Sequence, residues 1–485
     1  MLEFTPAFTL SDAERIARER FGRVGRVLAL PSERDQNFLI EDETRGAIVL
    51  KVANAAEQRM LLEAQQYVLG VLAARAVAVP RVVCAEHGEP LVETDGSDDR
   101  RHFVWAVTRL PGIPLANVTH RSPALVENVG RAIGRMMRSL EGVEHPALGR
   151  EFHWDLTHGT EVVATRRALI DDASVGAAID RVLAMAEQRI VPVTARLPRA
   201  AIHNDTNDHN ILVAADDDAT LAPVERVTGI LDFGDMLYGW RIADLAIAAA
   251  YLMLDAADPL AVIAALVRGA QTEIALEPSE LESVFALACL RLAMSACIAA
   301  EQRRAKPENA YLGVSQDAIR RTLPLLVALP ESLAAGVARE AAGLEPVEHS
   351  ARVRGWLSAN RSTFASVLPT DLRRAPCIVL DLSVASPLVS GDPDENIEPA
   401  LTPRIEAAMR EAMVNVAIGR YDEPRLLYTA PFFAGATEAS ERRTIHIGLD
   451  LFAPAGTPVH APFDGVVHAF ANNAVAQDYG PVIIL

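Results

Sequence analysis

Cysteine is scarce in this chain: Cys84, Cys289, Cys297 and Cys377 are its four, and none stands in C-x-x-C spacing. That excludes a disulfide framework and a thiolate metal site, and leaves a reducing compartment as the simpler setting. Long runs of Lys or Arg are also missing, and the formal net charge is -18. Such a field repels polyanions, so nucleic acid is not an expected partner. No apolar stretch reaches the roughly 20 unbroken residues of a membrane span. Ala243 to Val267 is broken by Asp255 and Asp258, and Val284 to Ala300 by Arg291, so both read as buried helices and no membrane partner is expected. Met1 to Phe21 lacks the apolar core and cleavage pattern of a signal peptide, which points to a cytoplasmic location. Internal repeats and low-complexity tracts are absent as well.

What is there describes a folded, multidomain protein. Half of the residues are apolar and 23% are charged, the balance of a globular chain, and 485 residues exceed what one core usually serves. Ser11-Asp12-Ala13-Glu14 has capping-box spacing and opens a short helix. Val24 to Leu30, Phe38 to Ile40 and Ala47 to Val52 read as strands, Ala55 to Leu72 as a helix, and Arg81 to Ala85 and Phe103 to Arg109 as further strands. Beyond Leu110-Pro111-Gly112 the pattern is mainly helical to about Leu329. Ala201 to Val213 and Val227 to Asp232 interrupt it as a hairpin with Asp216-Asp217-Asp218 at its tip. Turn formers and acids gather after Leu329 and again at Ser390-Gly391-Asp392-Pro393-Asp394. Pro403 to Ile418 looks helical, and beyond Arg443 the chain turns β-like.

One constellation carries chemistry. Phosphoryl transfer needs a group for the attacking hydroxyl, hard oxygen ligands for Mg²⁺, and cations on the phosphates. In His203-Asn204-Asp205-Thr206-Asn207-Asp208-His209-Asn210, Asp205 precedes Asn210 by five, the spacing of a kinase catalytic loop. Asp205 is the candidate base and Asn210 a candidate metal ligand. Twenty-two residues on, Leu231-Asp232-Phe233-Gly234 ends an apolar strand in a carboxylate, a second Mg²⁺ ligand candidate. Their order and spacing matter more than either motif alone.

From Glu3 to Leu329 the chain thereby resembles the aminoglycoside phosphotransferase and choline kinase superfamily. The resemblance implies an α+β, bilobal protein-kinase-like fold, with a β-rich N-lobe over 1-110 and a helical C-lobe over 111-330. It also implies ATP or GTP as donor, and roles for further residues. Lys51, ending the strand Ala47 to Val52, would contact the α- and β-phosphates. Glu63 on the following helix would pair with it, and Glu57 competes for that part. Ser32 to Asn37 resembles the family's phosphate-covering loop, which makes Ser32, Gln36 and Asn37 nucleotide-binding candidates. Val104 to Thr108, with Val107 at the purine, falls where the interlobe hinge lies. Asp244 matches a residue that supports the catalytic loop, and Asn204 stands where relatives often have glycine. The acceptor is expected to be a small amino alcohol, with an aminoglycoside, homoserine, choline or ethanolamine as alternatives and Asp208, Asp235 and Glu301 as possible ammonium partners; a zinc peptidase-type module and a non-catalytic kinase-fold binding protein are the rival readings. Ser-Glu-Arg-Asp-Gln-Asn-Phe at 32-38 looks most like the hydroxylysine kinase branch.

A connecting region is expected over 331-440. Beyond it, 441-485 resembles the start of a lysostaphin-type zinc endopeptidase, a truncated all-β peptidase-like segment, on Thr444-Ile445-His446-Ile447-Gly448-Leu449-Asp450 and Ala455 to Val467. That resemblance makes His446 and Asp450 Zn²⁺ ligands. Two ligands are an incomplete set, because the family's later His-x-His does not occur before Leu485. It also implies a longer fused polypeptide with an aminotransferase-fold domain.

Overall fold

The computed structural model describes residues 4-32, 34-96, 100-214, 226-305, 315-433, 444-475 and 477-485. The chain divides into two compact units, Met1–Asp255 with Ala265–Val327, and Ala256–Ala264 with Ala328–Leu485.

The first unit begins with helix α1 (Leu10–Phe21) and an antiparallel sheet of β1 (Arg26–Leu30), β2 (Gln36–Glu41), β3 (Ile48–Val52), β4 (Val82–Val83), β5 (Val92–Asp95) and β6 (Arg101–Thr108). The strand order is β1-β2-β3-β6-β4, with β5 also on β6, and helix α2 (Arg59–Ala74) lies between β3 and β4 in the chain. The α1 cap sits two residues ahead of its expected position. The box is made by Thr9 and Asp12, whose side chains accept from each other's backbone N–H at 3.2 and 3.0 Å, and not by Ser11 and Glu14. Period-two alternation then places the chemistry. Ile48, Leu50 and Val52 enter the core with Phe21 and Phe38, so Lys51 and Val49 face the opposite side. Asn37 is the register partner of Lys51 and shares that side, whereas Gln36 shares the other with Phe38.

After β7 (Ile113–Pro114) come the helices α3 (Pro123–Leu140), α4 (Gly159–Arg166) and α5 (Ala173–Arg189). Four short strands follow: β8 (Arg199–Ile202), β9 (Ile211–Val213), β10 (Val227–Ile230) and β11 (Leu237–Trp240). β9 and β10 form the expected antiparallel pair, β7 adds to β9, and β8 pairs with β11; Asp216 to Asp218 lie outside the described residues. The remaining helices are α6 (Ala243–Leu252), α7 (Pro259–Gln271), whose residues up to Ala264 count with the second unit, α8 (Pro278–Ala305) and α9 (Gln316–Leu326). α8 is long and apolar enough to cross a membrane, yet 94% of its most apolar window is buried inside the protein, as expected of a core helix.

The second unit contains α10 (Glu331–Ala341), α11 (Ser350–Asn360), β12 (Ile378–Leu380), α12 (Leu401–Glu411), β13 (Ala417–Gly419), β14 (Glu423–Pro424), β15 (Ile445–His446), β16 (Asp450–Phe452), β17 (Ala469–Asn473) and β18 (Gly480–Ile484). A small core of Leu380, Leu382, Ile405 and Ala417 holds it. β13 pairs with both β12 and β16, and β14 pairs with β15. Residues on the two sides of the expected boundary at 440 therefore share sheets.

Candidate active site

Between the sheet and the helical part of the first unit lies a cavity of about 340 Å³. Leu30, Leu39, Val49, Val107, Leu212 and Leu231 give it apolar walls, and Asn37, Lys51, Asn210 and Asp232 form its polar groups. Apolar walls with a few convergent polar groups suit a flat base carrying phosphates. The donors at the hinge are partly used already. Thr108 N–H bonds the Arg81 carbonyl at 2.8 Å and Arg109 N–H that of Ala47 at 3.1 Å, so neither is free to read a base.

Lys51 Nζ stands 3.3 Å from Asp232 Oδ1 and 5.3 Å from the centre of the Trp105 ring. Its proximity holds the Asp232 carboxyl at about 2, well below the ordinary range and against the effect of burial. The expected Lys51–Glu63 pair is not formed. Glu63 is bound by Arg59 at 2.8 Å, one helical turn away on the outer face of α2, where i,i+4 geometry favours that partner. The acid that feels Lys51 besides Asp232 is Asp35, whose Oδ1 accepts from Asn54 N–H at 3.0 Å. Glu63→Ala should leave the nucleotide KM within about twofold of wild type, since an exposed helix pair contributes only tenths of a kcal/mol. A coupled ADP-release assay would check it, and a tenfold rise in KM would restore Glu63 to the site.

Two loop candidates also move. Gln36 does not line the cavity: its Oε1 accepts from Phe8 N–H at 2.8 Å and its Nε2 donates to the Phe8 carbonyl at 2.9 Å, pinning the N-terminal segment. Ser32 is exposed and is not among the lining residues. Asn37 does line it, and its Oδ1 is buried with no hydrogen-bond partner, as a polar atom would be whose partner is a ligand.

The catalytic-loop candidates converge. Asn210 Nδ2 donates to Asp205 Oδ2 at 2.8 Å and to the Asp205 carbonyl at 2.9 Å, while Asn207 Nδ2 donates to Asp205 Oδ1 at 3.0 Å. With Nδ2 so engaged, Oδ1 is the acceptor that Asn210 has left to offer. His203 joins this loop to the next strand: its Nε2 donates to the Leu231 carbonyl at 2.7 Å and its Nδ1 accepts from Asp205 N–H at 3.1 Å. Asp244, fully buried at the start of α6, accepts from the N–H groups of His203 at 3.1 Å and Asn204 at 2.8 Å. Burial pushes the Asp244 carboxyl upward, while His203 and the two N–H groups oppose that. Asn204 takes φ +64°, the left-handed conformation that glycine adopts without strain.

Arg291 is the Asp205 partner that sequence reasoning passed over. It is 2% exposed, and its guanidinium donates to Asp205 Oδ1 at 2.9 Å. Burial pushes the Asp205 carboxyl up, and Arg291 opposes that rise. The only sign in the sequence was a lone arginine within an otherwise apolar helix.

The three carboxylates expected to face an ammonium group each hold an arginine. Asp235 is in contact with Arg34, Asp208 with Arg121 at 2.7 Å, and Glu301 with Arg166 at 2.8 Å. His153 lies among Asp235, Arg34, Arg166 and Glu301, its basicity lowered chiefly by burial.

In the second unit His446 and Asp450 do approach, Nε2 to Oδ1 at 3.4 Å, but the pair does not fit zinc. Arg425 stands 2.7 Å from Asp450 Oδ2, a fixed cation where a metal would put its charge, and Tyr428 bonds His446 Nδ1 at 3.0 Å. Among the described residues there is no group of three His, Cys, Asp or Glu side chains that could hold a metal ion.

A two-lobed α+β fold whose cleft joins an apolar base-sized pocket to a lysine, an aspartate and an Asp–Asn loop defines a kinase-type phosphotransferase. Residues 26–282 match the model of the phosphotransferase enzyme family, and the chain belongs to that family. Among its relatives is a hydroxylysine kinase of Mus musculus, 30% identical over 323 residues that cover 63% of this chain and 85% of the relative. One of Danio rerio is 29% identical over 317 residues, covering 63% and 88%. In fold, the chain is similar to a microcompartment-associated aminopropanol kinase, with a TM-score of 0.51, 17% identity, and coverage of 70% of this chain and 100% of that one.

Proposed function

We propose that this kinase transfers the γ-phosphoryl group of ATP or GTP to the hydroxyl of a small amino alcohol, with hydroxylysine as the first acceptor to test. The convergence of Asp205, Asn210 and Asp232 beside Lys51 carries the mechanistic reading, and the names of the mouse and fish relatives suggest the acceptor. Asp205 accepts the hydroxyl proton or orients the hydroxyl as the acceptor oxygen bonds to Pγ and the bond from Pγ to the β-phosphate oxygen breaks. Lys51 holds phosphate oxygens, and Asn37 is placed to bind them from β2. Asn210 and Asp232 offer hard oxygen donors, a set that fits Mg²⁺ and not zinc. When bound there, Mg²⁺ supplies charge neutralisation on the phosphates. The four free thiols agree with a reducing, cytoplasmic setting.

The test is ADP or GDP release with hydroxylysine, ethanolamine, choline, homoserine and an aminoglycoside. Turnover is expected with an amino alcohol, and hydroxylysine should give the highest kcat/KM. Chelation by EDTA should abolish it and excess Mg²⁺ should restore it. Turnover confined to the aminoglycoside would overturn the acceptor assignment, and turnover unaffected by EDTA would overturn the metal assignment.

A further inference from the structure

Among the described residues Arg291 is the largest fully buried side chain, and it sits on α8 in a run with Leu287, Leu290, Leu292 and Met294. Stability does not ask for it there. A buried ion pair costs desolvation of both ions, and an apolar side chain of similar volume usually does as well or better. What surrounds this guanidinium is nonetheless specific. One terminal nitrogen donates to Asp205 Oδ1 at 2.9 Å, the other to the Trp154 carbonyl at 3.2 Å, and the group lies over the Trp154 ring at 4.3 Å. Tyr251 also acts on it electrostatically. An aromatic face, a carbonyl and a carboxylate thus fix the planar fork in one orientation, which a lysine could not match donor for donor.

The consequence falls on Asp205. Arg291 and Asn207 hold Oδ1 and Asn210 holds Oδ2, so both oxygens are tied and the plane of the carboxylate is set by groups from two different parts of the fold. Asn207 and Asn210 belong to the same loop as Asp205 and move with it. Arg291 is the tie that comes from the helical core. We propose that Arg291 is a positioning residue for phosphoryl transfer, fixing from α8 the orientation in which the Asp205 carboxylate meets the acceptor hydroxyl. This rests on the reading of Asp205 as the group that takes or orients the hydroxyl proton.

Steady-state kinetics with hydroxylysine and MgATP on Arg291→Met, Arg291→Lys, Asp205→Asn and the Asp205→Asn/Arg291→Met double variant test it, alongside calorimetric binding of a non-hydrolysable ATP analogue. Arg291→Met should lower kcat about 30-fold with the nucleotide KM within about twofold, because Arg291 does not line the nucleotide cavity. Arg291→Lys keeps the charge but loses the fork, and should lower kcat about fivefold, less than Arg291→Met does. The double variant should be no slower than Asp205→Asn alone, since residues that act as a unit are not additive. Wild-type kcat in Arg291→Met, or equal losses in both Arg291 variants accompanied by weaker analogue binding, would overturn the proposal. If Arg291→Met does not fold, Arg291→Lys decides, and a wild-type kcat there overturns it. Wild-type turnover in Asp205→Asn would instead remove the reading of Asp205, whatever the Arg291 variants do.

Discussion

Asp205→Ala should reduce phosphoryl transfer by about 10³-fold while MgATP still binds within about twofold of wild type. Asp205 lies outside the apolar cavity, so its loss removes the group that meets the hydroxyl and leaves the base and phosphate contacts in place. Asp205→Asn should be nearly as slow. The amide preserves size and one acceptor oxygen but cannot take a proton, and its NH₂ would face donors from Asn210, Asn207 or Arg291. Comparing the two separates shape from basicity. Both variants should also unfold at lower temperature, because Arg291 keeps its buried charge and loses its carboxylate partner. Single-turnover kinetics with differential scanning calorimetry would check both expectations. Activity in either variant within tenfold of wild type would count against Asp205 as the proton-handling group.

The sequence made the polar end of the cleft legible because spacing fixes it. Asp205 and Asn210 are five residues apart in one loop, and Asp232 ends the strand paired with the one that Asn210 precedes. Lys51 was reached through the family resemblance, and alternation along β3 explains why it faces away from the core of Ile48, Leu50 and Val52. It is also one of only two lysines in a chain that otherwise uses arginine for its cations. An arginine fork at Arg34, Arg121 or Arg291 grips a carboxylate, whereas a compact ammonium suits a crowded phosphate subsite.

What could not be read is what depends on long-range packing. Glu63 and Lys51 are well placed in a list of motifs, yet whether an acid on α2 reaches β3 depends on how that helix packs, and Arg59 is nearer. Gln36 and Asn37 are adjacent polar residues with opposite facings, so a one-residue difference in strand phase separates a tether from a ligand-facing amide. Arg291 lies 86 residues beyond Asp205 and has no local motif. Asp450 carries the H-x-G-x-D pattern, but Arg425, which neutralises it, comes from another strand's end.

Asp244 should prove nearly as demanding as Asp205, though it touches no substrate in the proposed mechanism. Its two oxygens receive the N–H groups of His203 and Asn204, and its carbonyl receives the Thr206 hydroxyl. These bonds hold Asn204 in its left-handed conformation and set the entry to the catalytic loop. Asp244→Ala strands two buried N–H groups at about 1 to 3 kcal/mol each. The loop can then relax away from φ +64°, carrying His203 off the Leu231 carbonyl and Asp205 off Arg291. Transfer should fall about 10²-fold, since small misplacements of a reacting group are that costly. Asp244→Asn should not rescue it, because one amide oxygen cannot serve both N–H groups and the NH₂ would oppose one of them. Asn204→Gly has the opposite expectation: glycine adopts the left-handed conformation without strain, and this variant should keep kcat within about threefold. Measuring kcat and urea unfolding on the three variants separates the cases. If Asp244→Asn matched wild type in both, the carboxylate would be a bystander and the loop would be held by its own strands.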